Sequence, residues 1–251
     1  MAIDVAPVQV VLVHGIRTSA TMWRAQRAHL EARGVAVTAV DLPGHGTRID
    51  EVFALDEAFA TIDAAVRAAA ARGPVLLVGH SMGGLLSTEY AGSAEPPPVA
   101  ALIAAGCTAL PRGLGLRAYR AIAAGFNALP GRGARITEAV LRATLPEETR
   151  GDFGAGGYAY LAQDIALRSL SILDLLTALE RIRIPTWFVN GQYDQMRLHE
   201  RLFVSLVPHA ELIVVPRSTH LMTAMQPQVF NAVLDVAIAT LEAGQRTGSQ
   251  D

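Results

Sequence analysis

In the segment Gly79-His80-Ser81-Met82-Gly83-Gly84 a serine stands between glycines, directly after the apolar run Pro74–Val78 and ahead of a helical pattern. This is a G-x-S-x-G turn in the setting its mechanics require. The turn from strand to helix is tight, so glycines occupy the places where side chains would collide. The serine hydroxyl then stands at the amino end of a helix, where free N–H groups and the helix dipole favour developing negative charge. Such a hydroxyl attacks a carbonyl carbon once a base takes its proton and a third group orients the base. Of seven histidines, only His199, His209 and His220 follow Ser81, as the chain order nucleophile, acid, histidine demands. His199 falls on a helical stretch and His209 in a Pro-containing turn before a strand. His220 follows the last apolar run, in Pro216-Arg217-Ser218-Thr219-His220, on the strand's carboxyl-end side, where ligands meet an open α/β sheet. His220 is therefore the expected base. Asp194, in Gly191-Gln192-Tyr193-Asp194 just after the run Thr186–Val189, is the expected acid; no carboxylate follows the strand ending near Gly106.

A second segment bears on the same chemistry. His14-Gly15 ends the run Val8–Val13. In a turn of this kind an N–H after the glycine and the N–H of the residue after the nucleophile together hold an oxyanion. The donors expected here are the backbone N–H groups of Ile16 and Met82.

These residues need a scaffold that delivers them to one edge. The runs Val8–Val13, Val35–Val40, Val75–Val78, Val99–Ala104, Thr186–Val189 and Leu212–Val215 read as buried strands, continuous in apolar character as a covered parallel sheet requires. Helical patterns lie between them at Ala20–Arg33, Leu55–Arg72, Met82–Ala91, Arg197–Leu206 and Gln226–Leu241. The alternation predicts a doubly wound α/β sheet of about six strands. From Thr108 to Arg183 no strand appears, and Gly/Pro punctuation separates helical pieces at Leu114–Leu129, Ala134–Leu145 and Tyr158–Glu180. A structureless loop of that length is implausible, so residues 108–183 are expected as a helical insertion over one end of a core formed by 1–107 and 184–251. Within it Leu114, Leu116, Tyr119, Phe126, Leu129, Phe153, Tyr158, Tyr160 and Leu161 supply apolar material, either to roof a pocket or to pack the insertion on the core. Arg112, Arg117 and Arg120 form a solvated face or meet a carboxylate. Trp23 and Cys107 belong near the mouth or in the core, and the polar tail from Ala243 to Asp251 is expected to fray.

Composition narrows the choice. The chain has 251 residues, 51% of them hydrophobic and 18% charged, which suits one globular domain with a large core. A formal net charge of −2 leaves no basic footprint for nucleic acid. All 21 basic residues are arginine; without lysine, Schiff-base chemistry and a P-loop lysine drop out. The single Cys107 rules out an intramolecular disulfide and a multi-cysteine zinc site. No signal peptide or membrane-length apolar stretch is visible, which favours a cytoplasmic protein without stable membrane insertion.

His14-Gly15, Asp41-Leu42-Pro43-Gly44-His45-Gly46, Gly79 to Gly84, Gly191 with Asp194, and His220 together resemble the α/β-hydrolase superfamily, especially its capped esterase- and lipase-like members. The resemblance covers nearly the whole chain outside the insertion. It implies a cofactor-free reaction with no metal, a helical cap, and a site between cap and core. The chemistry it implies is hydrolysis of a carboxylic ester or lactone of a largely apolar small molecule through an acyl-enzyme on Ser81. The family's leading β-hairpin is expected to be missing or vestigial here, since few residues precede Val8. Serine at position 81 excludes the relatives that open epoxides or displace halide with an aspartate. Carbon–carbon bond hydrolases, hydroxynitrile lyases, perhydrolases, thioesterases and non-catalytic ligand-binding relatives share this pattern and stay open.

Overall fold

Six short runs pair into one sheet: β1 (Gln9–Val13), β2 (Ala36–Val40), β3 (Val75–His80), β4 (Ala101–Ala105), β5 (Thr186–Gly191) and β6 (Ala210–Val215). Their order is β2-β1-β3-β4-β5-β6, and every neighbouring pair is parallel. The computed structural model describes residues 6–248 apart from 114–116, 118, 119, 122, 123, 126 and 127. Every residue of β1, β3, β4 and β5 is buried, as expected for strands covered on both faces. The outer strands depart from that expectation. Ala36 of β2 and Glu211, Leu212 and Val214 of β6 are exposed, because an edge strand has a neighbour on one side only and is incompletely covered.

Alternation along each strand divides the core. Val11 and Val13 face one side, where they meet α2 (Leu55–Ala70) and α3 (Met82–Ala91); Val10 and Leu12 face the other, with α1 (Arg24–Ala32) and the last helix, Pro227–Gly248. The amphipathic pattern of α2 is explicit in its buried residues, Ala58, Ile62, Val66 and Ala69, which recur at helical spacing along one stripe. Fully burying a side chain such as Ile62 contributes about 1.5–3 kcal/mol. Between β4 and β5 the described residues form the helices Ala134–Thr144, Glu147–Arg150, Ala162–Leu170 and Leu175–Arg181. The expected helix Leu114–Leu129 lies largely outside the described residues.

Several boundaries differ from the sequence reading, among them two helix ends. The helix expected from Arg197 begins at Glu200, because the stretch before it is a loop held by Asp194, whose Oδ1 accepts from Met196 N–H at 2.8 Å. His199 therefore precedes the helix, and its Nδ1 accepts from Leu110 N–H at 3.3 Å. The last helix does not fray at Ala243 but runs to Gly248. Backbone hydrogen bonding carries it on past its final buried residues, and Thr247 Oγ1 donates back to Gly244 O at 3.0 Å.

Candidate active site

β3 runs through Gly79 and His80 into a reversal at Ser81, whose φ of 55° and ψ of −118° lie outside the regions favoured by L residues. Backbone of this kind costs of order 1–3 kcal/mol and survives only where the surroundings impose it. Here Ser81 N–H donates to Ala105 O at 2.8 Å, which extends the β3–β4 ladder through the turn. The flanking glycines are set by close backbone approach. A Cβ on Gly79 would lie 2.3 Å from Gly83 O, and one on Gly83 would lie 2.4 Å from Val13 O. Val13 pairs with Gly79 across β1 and β3, so the register itself carries Gly15 to Ser81. A Cβ on Gly15 would lie 3.1 Å from Ser81 Cβ.

The structure brings Ser81, His220 and Asp194 together. Ser81 Oγ lies 2.9 Å from His220 Nε2, and His220 Nδ1 lies 3.1 Å from each oxygen of Asp194. The Asp194 carboxylate is fully buried, while the His220 side chain is 20% exposed. Burial pushes the Asp194 pKa up, but the hydrogen bond and charge of His220 and the Met196 N–H outweigh it and hold the carboxyl below its ordinary value. An ionised Asp194 keeps the proton on Nδ1, leaving Nε2 free to accept from the serine O–H.

Main-chain bonds knit the acid and base loops together. Gln192 N–H donates to Val215 O and Tyr193 N–H to Ser218 O, both at 2.9 Å. A Cβ on Gly191 would lie 2.1 Å from Thr219 O. Gly106, with φ +60°, passes beneath the triad; a Cβ there would come within 3.1 Å of the His220 ring and 3.3 Å of Asp194 Oδ2. Of the expected oxyanion donors, Met82 opens α3, where the first N–H groups have no acceptor within the helix. Ile16 lines the same cavity as Gly15 and Ser81.

Two histidines outside the Ser81–His220–Asp194 series, His14 and His80, also use their side chains. Leu42 N–H donates to His14 Nε2 at 3.0 Å, so Nδ1 carries the proton and donates to Gly15 O at 2.8 Å. His80 Nε2–H donates to His220 O at 2.8 Å, which anchors the base loop. Burial lowers both pKa values to about 3, so both rings are neutral. Burial likewise lowers the pKa of His45, whose ring lies 4.9 Å from that of His14. No sequence signal marks these side-chain partners, because they sit on loops distant along the chain. His209 is exposed ahead of β6.

The cavity at Ser81 measures about 200 Å³ and is lined by residues that include Ile16, Arg17, Thr18, His80, His220 and Leu221 from the sheet-end loops. Thr137, Leu141, Phe153 and Tyr158, from the segment between β4 and β5, complete the lining. Leu129 and Leu161 do not contribute; both are solvent-exposed. Tyr160 stacks under Arg17, with 4.7 Å from the guanidinium carbon to the ring centroid. Leu114, Leu116, Tyr119 and Phe126 lie outside the described residues. Trp23 and Cys107 are fully buried in the core and not at the mouth, and burial pushes the Cys107 thiol pKa up. Arg120 bonds to Asp164 at 3.1 Å, while Arg112 and Arg117 are exposed. A separate cleft of about 490 Å³, between α2, α3 and the helix Leu175–Arg181, contains no triad residue. Among the described residues no cluster of three or more His, Cys, Asp or Glu is placed to hold a metal ion. None of their helices is long and apolar enough to cross a membrane.

Comparison with known proteins agrees with this architecture. The family described as "Alpha/beta hydrolase family" matches residues 10–233. Methylesterase 7 of Arabidopsis thaliana is 40% identical over 97 residues, which is 37% of this chain and 37% of that protein. The match thus spans little more than a third of the relative's length. A thermophilic esterase from Thermogutta terrifontis superposes with a TM-score of 0.74 at 23% identity, covering 95% of this chain and 92% of that one. A bromoperoxidase from Bacillus anthracis gives a TM-score of 0.77 at 19% identity, covering 94% and 93%. At these identities the two structures speak to the fold.

Proposed function

The chain belongs to the α/β-hydrolase family, and on that premise we propose that it hydrolyses small carboxylic esters, lactones included, through an acyl-enzyme on Ser81. The observation that carries this reading is the hydrogen-bonded series Ser81 Oγ, His220 and Asp194, with a bare Nε2 at 2.9 Å from the hydroxyl. His220 takes the serine proton as Oγ attacks the carbonyl carbon. The resulting oxyanion rests on the N–H groups of Ile16 and Met82; one such donor typically contributes about 2.7–4 kcal/mol to transition-state stabilisation. His220 then returns the proton to the leaving alcohol. Water, deprotonated by the same imidazole, attacks the acyl carbon and frees the acid. Asp194 stabilises the imidazolium without itself taking the proton. The segment between β4 and β5 acts as a cap that selects the acyl or alcohol group, since Leu141, Phe153 and Tyr158 line the cavity. Esterase and methylesterase names among the partial-length relatives support the same chemistry.

The test is a burst experiment with short and medium p-nitrophenyl esters, with intact-mass detection, on the wild type and Ser81→Ala. A burst and an acyl adduct confined to the wild type are expected. Equal activity in a folded Ser81→Ala protein would overturn the assignment.

A further inference from the structure

Acyl transfer at Ser81 leaves polar groups of the same cavity unused. Arg17 Nη2, Thr18 Oγ1 and His80 Nδ1 are buried and have no hydrogen-bond partner, and all three residues line the cavity. Arg17 and Thr18 are adjacent, in the loop that carries Ile16, and Arg17 is held there with φ at 62°. Three other arginines carry ion pairs, Arg24 with Asp152, Arg120 with Asp164 and Arg197 with Glu200, while Arg132 shares the Tyr160 ring at 5.8 Å. No ion pair of Arg17 occurs among the described residues. Glu138, whose charge reaches Tyr158, makes none with it either. The guanidinium is instead stacked on Tyr160, an arrangement that fixes its plane while leaving N–H edges free to bond. A buried donor left unsatisfied is costly, and more so when charged, so a guanidinium without an ion pair on a residue that lines the cavity is suited to an acceptor.

We propose that Arg17, assisted by Thr18, binds a carboxylate of the substrate, so that the esters hydrolysed at Ser81 carry a free carboxylate on a short acyl chain. The proposal rests on the ester-hydrolase reading above. The planar fork of Arg17 matches a carboxylate through two N–H bonds. The Thr18 hydroxyl donates a third. Ile16, Leu141, Phe153 and Leu221 give apolar walls for the methylenes between the carboxylate and the reacting carbonyl. A cavity of about 200 Å³ restricts that spacer to a few carbons. Arg17 is thus a specificity-determining residue, and monoesters of short dicarboxylic acids are the substrate class.

The test compares p-nitrophenyl hydrogen glutarate with neutral p-nitrophenyl pentanoate on the full-length wild type, Arg17→Gln and Arg17→Lys. Calorimetric titrations with glutarate and with inorganic phosphate accompany it. The wild type is expected to favour the anionic ester at least tenfold in kcat/KM. Arg17→Gln should lower the anionic ester's kcat/KM about 10- to 100-fold more than the neutral ester's, mostly through KM, with Arg17→Lys between the two. Glutarate should bind the wild type and not Arg17→Gln. Equal loss on both esters, or a wild type with neither charge preference nor glutarate binding, overturns the proposal. Phosphate binding in place of glutarate overturns the carboxylate assignment. Should Arg17→Gln fail to fold, the wild-type ester preference and glutarate titration decide. A Ser81-dependent burst without charge preference refutes only this inference. Glutarate binding at Arg17 without any acyl-enzyme refutes the hydrolase reading and leaves the anion site standing.

Discussion

The loops at the carboxyl ends of the strands and the helices between β4 and β5 line one cavity, yet different forces hold them. The first region is fixed by main-chain ladders and by glycines with no room for a side chain: Ser81 on Ala105, Tyr193 on Ser218, Gly83 against Val13. The second is held by side chains, through apolar residues such as Ala166, Leu170 and Leu179 buried in the core and through scattered polar contacts. Thr21 Oγ1 donates to Asp152 O at 2.6 Å, Arg24 pairs with Asp152 at 2.5 Å, and Thr149 Oγ1 donates to Ala224 O at 2.8 Å. It also exposes Ile136, Val140, Leu161, Ile165 and Ile172 to solvent. The contrast separates two tasks. The sheet ends hold backbone positions to a fraction of an ångström, while the helices add side chains such as Leu141 and Phe153 to the same cavity.

The largest expected break in this contrast is Asp194→Asn. The loop keeps its backbone bonds, but His220 loses the carboxylate that sets its tautomer, and kcat should fall by about 10⁴-fold with little change in melting temperature. Activity within tenfold of wild type would show that the sheet-end geometry does not govern the chemistry. Next in size is stability. Phe188→Ala, in the fully buried β5, should cost about 3–5 kcal/mol in urea unfolding, whereas Leu161→Ala, on an exposed helix flank, should stay within about 0.5 kcal/mol. Comparable losses would erase the distinction between the regions. The smallest effect is a pH dependence confined to the sheet ends. His14 and His80 have pKa values lowered from 6.5 to about 3, so the unfolded chain binds more protons between those limits. Stability contributed by their burial is full well above pH 6.5 and declines as pH falls through 6.5 towards 3, by at most about 1.4 kcal/mol per pH unit for each group. Urea midpoints at pH 7.5, 6.5 and 5.5 should fall in that order. A flat series would mean that these rings are not held neutral by burial.

Much of this was legible before any coordinates. The meeting of Ser81 with His220 and Asp194 follows from chain order and from strand ends, because a parallel sheet delivers all its carboxyl ends to one edge. Gly79 and Gly83 are legible for a local reason, since a tight strand-to-helix turn excludes side chains whatever surrounds it. The side-chain partners of His14 and His80 were not legible, for they reach Leu42 and a carbonyl on the β6 loop, contacts no spacing rule reports. Nor was Arg17. The sequence offers Arg112, Arg117 and Arg120 of the insertion to a carboxylate, and of these Arg120 is paired with Asp164. Arg17, which makes no ion pair among the described residues, lies on the core loop beside Ile16. Exposure at β2 and β6 was also hidden, because strand order decides which strands become edges.

The all-parallel order β2-β1-β3-β4-β5-β6 has a kinetic consequence. No two neighbouring strands can join through a tight hairpin, so each pairing waits for a crossover to close, and contacts of long sequence separation form slowly. The crevice at Ser81 needs β1, β3 and β4 in register together, and its acid and base arrive only with β5 and β6. The Ser81–His220–Asp194 series is therefore complete only once all of these strands are paired, and any state before that carries open strand edges that invite aggregation.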